Sequence, residues 1–244
     1  MDKEKAKRLI DPLFFAGVAH RGLWDKDSTE NGMDAFKKAI DKGFAFEYDI
    51  HLTKDEQLVV CHDEELERTT GKKGIIEHLT LKEIKEGYRL HDGGEIPTLQ
   101  EVIDLNNGRV PMVVELKPFE SNYKALGKKA YQALANIEDK SKIIIISFDP
   151  RALLSFGKHG FARHLLLLKR RMDVFLTRHF FEGIDIEITL VEDRRIKRYF
   201  KNHVVNLWTL ESLSDLELIA GKVDTVTFQK IAPEKVREYF PLAQ

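Results

Sequence analysis

The sequence predicts an α/β protein, and within that class a closed (β/α)8 barrel of the TIM type. Eight short apolar, β-rich runs alternate with stretches of helical periodicity along the 244 residues. The length and the 43% hydrophobic content suffice for a sizeable core. Ionisable residues follow several of the runs, at the end of the strand where barrel enzymes carry their active sites. We therefore expect one TIM-barrel domain over residues 1–244.

The expected strands are short runs of apolar and β-branched residues bounded by turn signals. They cover residues 13–19, 44–50, 110–116, 142–147, 162–168, 184–188, 204–208 and 223–228.

The expected helices lie between these strands, and several have clear start signals. Thr98 and Glu101 form a capping-box pattern, and Asp149 precedes Pro150 as an N-cap residue precedes a proline at the first helical position. The helices cover residues 32–42, 99–105, 122–136, 150–158, 172–180, 191–201, 213–220 and 233–240.

A β-hairpin and a small insertion are expected after the second strand. Residues 53–56 read as a tight turn, and residues 57–61 as the returning arm of the hairpin. With Lys54 and Asp55 at the tip, antiparallel pairing places His62 opposite Glu47. Residues 62–97 then form the insertion, with glycine turns around a short helix near residues 81–86.

The second strand carries an unusual polar face. Glu47, Asp49 and His51 alternate with apolar residues, so their side chains point the same way. Burying unpaired charges costs several kcal/mol or more, and a metal ion or a cationic ligand would offset that cost. The alternative is that the strand lies at an edge of the sheet and that its polar face is simply in contact with solvent. Glu115, on the next apolar strand of the barrel, favours the metal site.

Further polar residues follow other expected strands, as the rim of a barrel active site requires. They are His20 and Arg21 after the first strand, Lys117 after the third, Ser147 at the end of the fourth, Lys169 after the fifth and Trp208 at the end of the seventh.

Bulk properties limit the partners and the compartment. There are 39 basic and 40 acidic residues, so no overall field favours nucleic acid or an anionic membrane. The single cysteine, Cys61, lies in a β-rich run where a buried thiol is expected, and it excludes an internal disulfide. The apolar run at 13–19 is too short for a signal peptide or a membrane span. We expect a cytoplasmic protein without stable membrane insertion; no pattern indicates an oligomeric state.

An ordered series of motifs resembles the glycerophosphodiester phosphodiesterase family. The series runs from about residue 15 to 118 and continues weakly through Ile146-Ser147-Phe148 and Leu207-Trp208-Thr209. Its members are Ala19-His20-Arg21-Gly22, Glu30-Asn31, Glu47-Tyr48-Asp49-Ile50-His51-Leu52-Thr53-Lys54-Asp55, Val60-Cys61-His62-Asp63, Leu66-Glu67-Arg68-Thr69-Thr70-Gly71, Ile96-Pro97-Thr98-Leu99 and Glu115-Leu116-Lys117.

The resemblance implies a metal-dependent barrel that hydrolyses small-molecule glycerophosphodiesters to glycerol 3-phosphate and an alcohol, in glycerol and lipid metabolism. It also implies that the substrate's own glycerol hydroxyl attacks phosphorus, and that water then opens the cyclic phosphate.

Phosphodiester cleavage needs charge neutralisation, an activated nucleophile and a proton for the leaving oxygen. Hard oxygen ligands from Glu47, Asp49 and Glu115 suit Mg²⁺ or Ca²⁺. Arg21 and Lys117 are candidates for binding phosphate. His20 and His62 are the expected acid/base pair, and Trp208 is the candidate wall for the glycerol moiety.

Several of these assignments have alternatives. Lys117 could form only a salt bridge with Glu115, and Trp208 could be a core aromatic residue. His51 could support the metal ligands or make an ordinary hydrogen bond. Asp185 and Glu187 share a strand face, where structural or solvated roles are favoured. The basic runs at 169–171 and 194–198 are expected to be solvated helix faces.

Two departures from the family pattern affect the barrel wall rather than the acid/base or metal set. Thr29 and Gly32 flank the Glu-Asn pair where the family often has proline and threonine, and Gln229 stands near the place of a late Thr-Asp pair. They bear on the choice of leaving alcohol. The alternatives to the main function are a lysophospholipase D-type enzyme and a catalytically weak barrel that binds phosphorylated ligands.

Overall fold

The computed structural model describes residues 3–242, and the strands within this range bear out the predicted fold class. Most strand and helix bounds agree with the predicted ones to within three residues. The strands are β1 Val18–Ala19, β2 Ala45–Leu52, β3 Leu58–Val60, β4 Met112–Leu116, β5 Ile143–Ser147, β6 Ala162–Leu167, β7 Gly183–Glu187, β8 Val204–Leu210 and β9 Thr225–Phe228.

Eight of these strands close into a parallel ring, so the predicted TIM barrel is confirmed. The ring runs from β1 through β2, β4, β5, β6, β7 and β8 to β9, and β9 pairs with β1 to close it. Strand β3 lies outside the ring, antiparallel to β2. All eight carboxyl ends of a closed parallel ring meet at one rim, which positions the polar residues that follow the strands.

Most of the α-helices lie between strands, and two of them have the predicted caps. Thr98 and Glu101 form the capping box. Asp149 is the N-cap residue directly before Pro150, and its side chain accepts from the backbone N–H of Arg151. The helices are α1 Lys3–Lys7, α2 Met33–Asp41, α3 Glu67–Thr70, α4 Leu81–Gly87, α5 Leu99–Asn106, α6 Tyr123–Leu134, α7 Pro150–Phe156, α8 Arg194–Phe200, α9 Leu213–Ile219 and α10 Pro233–Tyr239.

Short 3-10 helices occupy several of the remaining connections, and one replaces an expected α-helix. Residues Val174–Phe180 form a 3-10 helix after β6, where the sequence predicts an α-helix over 172–180. The other 3-10 segments are Pro12–Ala16, Ile76–His78, Lys140–Lys142, Lys169–Arg171 and Ile188–Leu190.

The alternation of side chains along β2 divides the barrel interior from the helical layer. Phe46 and Tyr48 are fully buried against Phe36 of α2: Phe46 stacks on its ring at 5.0 Å between centroids, and Tyr48 meets it edge-on at 5.6 Å. Burying an aromatic side chain of this size contributes about 1.5–3 kcal/mol. Glu47 and Asp49 point the other way, into the barrel. The apolar face that fastens β2 to its helix therefore also fixes the direction of its carboxylates.

The amino end of the barrel is filled by the first segment of the chain. Ala6, Ile10 and Phe14 are buried in one cluster with residues near the starts of the strands, such as Ala45 and Val204. Here the expected strand over 13–19 is wrong in its first part, because Pro12–Ala16 form a 3-10 helix and only Val18–Ala19 pair as a strand. A segment that closes the end of a barrel and a strand that lines it are equally apolar, so composition does not distinguish them.

The predicted register of the hairpin is wrong by one residue. Ile50 pairs with Val60 and His51 with Val59, so Glu47 and His62 are not cross-strand partners. The reason lies in the turn, where Glu56 has a left-handed φ of 57° and the Thr53 N–H donates to the Gln57 carbonyl. The loop therefore contains one more residue than a two-residue turn.

The insertion after β3 has a small apolar core of its own. Leu66, Ile76 and Ile84 are fully buried there and pack with Val59 and Cys61 of the hairpin. The predicted buried thiol is confirmed, and burial raises the pKa of Cys61 to about 12. The assignment of residues 1–244 to one domain with an insertion over 62–97 remains a prediction, and its first two and last two residues lie outside the described range.

Candidate active site

Three buried carboxylates converge inside the barrel at the carboxyl ends of β2 and β4. Asp49 and Glu115 are neighbours in the strand register, and Glu47 lies one inward position before Asp49. Ligand oxygens of Glu47, Asp49 and Glu115 all lie within 4.8 Å of one another. The three residues are at most 7% exposed. The structure thus brings together the three carboxylates that the sequence marks as metal ligands.

Crowding of these carboxylates gives them unequal acidities. Burial and the neighbouring Asp49 raise the pKa of Glu47 well above its usual value, and burial raises that of Glu115 to about 7. Burial alone would raise the pKa of Asp49 as well, but Lys117 and Arg21 hold it far below its usual range. Three adjacent carboxylates resist simultaneous ionisation unless further positive charge reaches them.

The donor set fits a hard divalent cation. Asp49 Oδ1 is buried and has no hydrogen-bond partner among the described residues, although Lys117 Nζ lies 3.6 Å from it. A buried carboxylate oxygen without a hydrogen bond is costly. Three carboxylates on two rigid strands are the ligands that Mg²⁺ and Ca²⁺ prefer. Glu47, Asp49 and Glu115 could therefore hold one such ion.

Asn31 holds Asp49 in place, and the sequence argument did not assign this role. Its amide nitrogen donates to Asp49 Oδ2 at 2.9 Å, and its Oδ1 accepts from the Asp49 backbone N–H at 3.4 Å. Asn31 is buried with a left-handed φ of 57°, a conformation that asparagine adopts more readily than most residues. The Glu-Asn pair of the motif series was the available signal.

Arg21 and Lys117 supply the positive charge around the cluster. Arg21 bonds Glu30 at 2.7 Å, and its Nε lies 3.5 Å from Asp49. Lys117 Nζ lies 3.1 Å from Glu115, so the salt bridge named as an alternative for Lys117 exists. Burial opposes the charge of both groups, but the carboxylates raise the pKa of each above its usual value. Both side chains therefore stay cationic at neutral pH.

His20 stands beside the carboxylates, directly after β1. Its Nε2 lies 3.9 Å from Glu47 Oε2, and its Nδ1 lies 2.6 Å from the side-chain oxygen of Gln229. Burial, and secondly the charge of Arg21, lower the pKa of His20 to about 4. His20 is therefore neutral at pH 7 and able to accept a proton.

His62 lies in the loop after β3 and has a different kind of partner. Its Nδ1 is 2.6 Å from the Asp63 carboxylate, which is in turn 2.5 Å from Nε of Arg68. Arg68 also bonds Glu30 at 2.7 Å, and Glu30 binds Arg21. Burial lowers the pKa of His62, and Lys117 adds to this, although Asp49 opposes it. A chain of ion pairs thus links His62 to Arg21.

His51 joins the insertion to the barrel and does not reach the carboxylate cluster with a hydrogen bond. Its Nδ1 is 2.6 Å from Glu77 of the insertion, and its Nε2 is 3.2 Å from the backbone carbonyl of His62. Of the two roles considered for His51, the contacts are those of a hydrogen-bonding residue. It supports the loop that carries His62.

A cavity of about 110 Å³ opens between the two histidines, and one of its walls is aromatic. Trp208 and Phe148 pack edge to face with ring centroids 5.5 Å apart, and both line the cavity. Lys117 faces an adjoining cavity of about 470 Å³ that shares Glu115. Trp208 therefore lies beside the carboxylates as a wall, while its ring also packs with the barrel interior.

The other polar residues of the rim have structural contacts. The Ser147 hydroxyl donates to the Leu116 carbonyl at 2.8 Å. Asp185 is buried against His164 and Asn206, at 2.7 and 2.9 Å, which agrees with the structural role expected for it. Glu187 accepts from the backbone N–H of Lys169. Residues 169–171 are exposed, as are the basic residues 194, 195, 197 and 198.

Among residues 3–242, no helix combines the length and the apolar character that crossing a bilayer requires.

Sequence comparison finds relatives named glycerophosphodiester phosphodiesterase. The model of the glycerophosphoryl diester phosphodiesterase family matches residues 20–168. A glycerophosphodiester phosphodiesterase of Caldanaerobacter subterraneus is 32% identical over 232 residues, which cover 86% of this chain and 91% of the relative. A protein of the same name from Bacillus altitudinis is 34% identical over 165 residues, 64% of this chain and 66% of the relative.

Structural comparison finds the same barrel in solved proteins. A phosphodiesterase of Oleispira antarctica, crystallised in complex with the product sn-glycerol-3-phosphate, superposes with a TM-score of 0.81 at 22% identity. The superposition covers 96% of this chain and 98% of the other. At this level of identity the likeness establishes the fold.

Proposed function

Because the chain belongs to the glycerophosphoryl diester phosphodiesterase family, we propose that it cleaves glycerophosphodiesters to glycerol 3-phosphate and an alcohol with a divalent cation and a histidine pair. The enzyme class and the family predicted from the motif order are confirmed by the family match and by the named relatives. The cation, the roles of the residues and the leaving alcohol are our proposals.

The observation that carries the proposal is the placement of opposite charges and two imidazoles around one cavity. His20, His62, Arg21, Glu47 and Glu115 all line it. A phosphodiester needs each of these groups, because its anionic phosphate must be neutralised while protons move to and from its oxygens.

Glu47, Asp49 and Glu115 would hold the cation, and we propose Mg²⁺ or Ca²⁺ because the donors are hard oxygens. When bound, the cation would neutralise negative charge on the phosphate and let all three carboxylates ionise together. Asn31 would keep Asp49 oriented for it.

Arg21 and Lys117 are the proposed phosphate ligands. Both are cationic at neutral pH and less than a fifth exposed, so water screens their charges only weakly. The guanidinium of Arg21 can donate two parallel hydrogen bonds, whereas the ammonium of Lys117 acts as a point charge. Together they would orient the phosphorus between the two histidines.

His20 and His62 are the proposed proton-transfer pair. One imidazole removes the proton of the attacking hydroxyl as its oxygen bonds to phosphorus. The other gives a proton to the leaving oxygen as that bond breaks. If the attacking group is a hydroxyl of the substrate's glycerol, the product is a cyclic phosphate, which water opens with the roles of the pair exchanged. Trp208 and Phe148 would form the wall beside the glycerol moiety.

The test is hydrolysis of glycerophosphocholine, glycerophosphoethanolamine and lysophosphatidylcholine, each with and without chelator. We expect release of glycerol 3-phosphate from glycerophosphocholine or glycerophosphoethanolamine, loss of activity in EDTA and recovery with excess Mg²⁺ or Ca²⁺. Glu115→Gln should need more cation for half-maximal rate, whereas the exposed Glu217→Gln should match the wild type.

Full activity after exhaustive dialysis against EDTA would contradict the metal assignment. Faster cleavage of lysophosphatidylcholine than of either glycerophosphodiester would favour the lysophospholipase D alternative. Binding of glycerol phosphate without turnover of any substrate would favour the catalytically weak barrel.

A further inference from the structure

Gln229 stands where the family's late Thr-Asp pair is replaced, and its side chain contacts a catalytic histidine. It directly follows β9, and its backbone N–H donates to the Leu210 carbonyl at 2.9 Å. Its side-chain oxygen lies 2.6 Å from Nδ1 of His20. The residue next to the altered motif therefore meets the acid/base pair directly.

A second contact determines which end of the amide faces the histidine. Nε2 of Gln229 lies 2.5 Å from Glu211 Oε1, and Lys230 Nζ holds the other oxygen of Glu211 at 3.0 Å. An ionised carboxylate only accepts hydrogen bonds, so the amide NH₂ must face Glu211 and the amide oxygen must face His20. That oxygen is also only an acceptor, so the proton of a neutral His20 belongs on Nδ1.

We infer that Gln229, oriented by Glu211, is a positioning residue that fixes His20 in the tautomer with its proton on Nδ1. Nε2, which lies 3.9 Å from Glu47, is then left as the proton acceptor. The inference deepens the proposed function and rests on it, because it assigns His20 as the base of the first step. His62 faces the carboxylate of Asp63 instead, which opposes the lowering of the His62 pKa by burial and so favours a second ring proton more than an amide oxygen does.

The proton and bond changes balance with this assignment. The hydroxyl proton moves to Nε2 of His20 as the new oxygen–phosphorus bond forms. The bond from phosphorus to the leaving oxygen breaks as that oxygen takes a proton from His62. Water then attacks the cyclic phosphate and gives its proton to His62, while His20 returns its proton to the ring oxygen that leaves.

Gln229→Met tests the inference because it keeps the length of the side chain and removes its hydrogen bonds. We expect kcat to fall about tenfold or more with KM changed less than about twofold, as for other residues that orient a functional histidine. Heteronuclear NMR of the His20 ring nitrogens should find the Nδ1–H form in the wild type and a mixture of tautomers in the variant. A merely structural residue would not change this tautomer.

The double variant Glu211→Gln with Gln229→Glu provides the rescue at constant net charge. The new amide at 211 can donate to the new carboxylate at 229, which still accepts from Nδ1 of His20. We expect the proton on Nδ1 again and a kcat above that of Gln229→Met, with activity lost on acidification from a higher pH than in the wild type because a carboxylate also favours a second ring proton. Gln100→Met, on the exposed start of α5, is the matched control for the loss of an amide and should leave both measurements unchanged.

Retention of the Nδ1–H form in Gln229→Met, with kcat within about twofold of the wild type, would overturn the inference. So would a double variant whose tautomers are as mixed as in Gln229→Met. The NMR measurement needs no turnover. A wild type inactive on all three substrates would therefore remove the proposed function, while the tautomers alone would still decide the role of Gln229.

Discussion

Arg21 combines three tasks at the residue scale, and its backbone conformation explains how. A left-handed φ of 57° turns the chain after β1 so that the backbone N–H donates to Glu47 at 3.0 Å, while the guanidinium reaches Glu30 and Asp49. Such a conformation costs a non-glycine residue about 1–2 kcal/mol. The hydrogen bond from the Asn31 N–H to the Arg21 carbonyl, at 3.0 Å, helps to offset that cost.

Loss of either histidine of the proposed proton-transfer pair should affect turnover rather than folding. His20→Ala and His62→Ala should each lower kcat by about 100-fold or more, since general acid–base catalysis supplies 10² to 10⁴. The double variant should be little worse than either single one, because the two residues act as a unit. His179→Ala, an exposed histidine, is the control. Near-normal kcat in a folded His62→Ala enzyme would remove His62 from the mechanism.

Asn31→Ala should weaken binding at the proposed cation site. Removing the amide frees Asp49 and leaves its Oδ2 without that donor, and loss of comparable support costs other metal sites about 10- to 100-fold in affinity. Titration with Mg²⁺ or Ca²⁺ followed by calorimetry measures this, with the exposed Asn202→Ala as the matched control. Equal affinities in the two variants would show that Asn31 has no part in the site.

Among the structural elements, the hairpin and the apolar core of the insertion support the loop that carries His62. His51 of β2 bonds both Glu77 and the carbonyl of His62, so one imidazole ties two parts of the insertion to the barrel. The apolar core of the insertion, which includes Leu66 and Ile84, keeps Glu77 within reach. Packing in the core of the insertion therefore helps to position His62.

Ile84→Ala should test this coupling. Ile84 is fully buried in the small core of the insertion, and removing such a side chain typically costs about 2–5 kcal/mol. We expect a lower melting temperature together with a reduced kcat, because the insertion holds the His62 loop. Leu218→Ala, at an exposed position of α9, should change neither. A destabilised Ile84→Ala enzyme with normal kcat at low temperature would separate the insertion from catalysis.

The elements also explain what the sequence could and could not predict. The alternation of Glu47 and Asp49 with apolar residues is a local property, so it identifies two carboxylates before any fold is known. The hairpin register depends on the backbone of one residue, Glu56, whose left-handed conformation no spacing rule reveals. Gln229 and Asn31 act through loops, where contacts arise only after the barrel has closed.

At the scale of the whole molecule, the carboxylate cluster couples folding to pH. The ordinary pKa of Glu115 is 4.5, and burial raises it to about 7 in the folded protein. Between these values the folded state binds more protons than the unfolded state, so stability falls as pH rises. Glu115 should therefore destabilise the metal-free protein more at pH 7.5 than at pH 5.

Denaturant titration in EDTA at several pH values measures how stability depends on pH, and Glu115→Gln should remove the contribution of Glu115 from that dependence. The slope also contains the other groups that titrate in this range, and the depressed pKa of His20 acts in the opposite direction. The difference between wild type and Glu115→Gln therefore isolates the carboxyl. Saturating Mg²⁺ or Ca²⁺ should raise stability at pH 7.5, because a ligand that binds only the folded state stabilises it. Parallel slopes in both proteins would mean that Glu115 titrates normally.

The closed amino end of the barrel affects how substrate enters and how product leaves. Ala6, Ile10 and Phe14 fill that end, so the barrel interior opens only at the carboxyl ends of its strands. Substrate would enter, and glycerol 3-phosphate would leave, through the same opening. Bound product would therefore prevent substrate from binding, so product inhibition should be competitive with substrate.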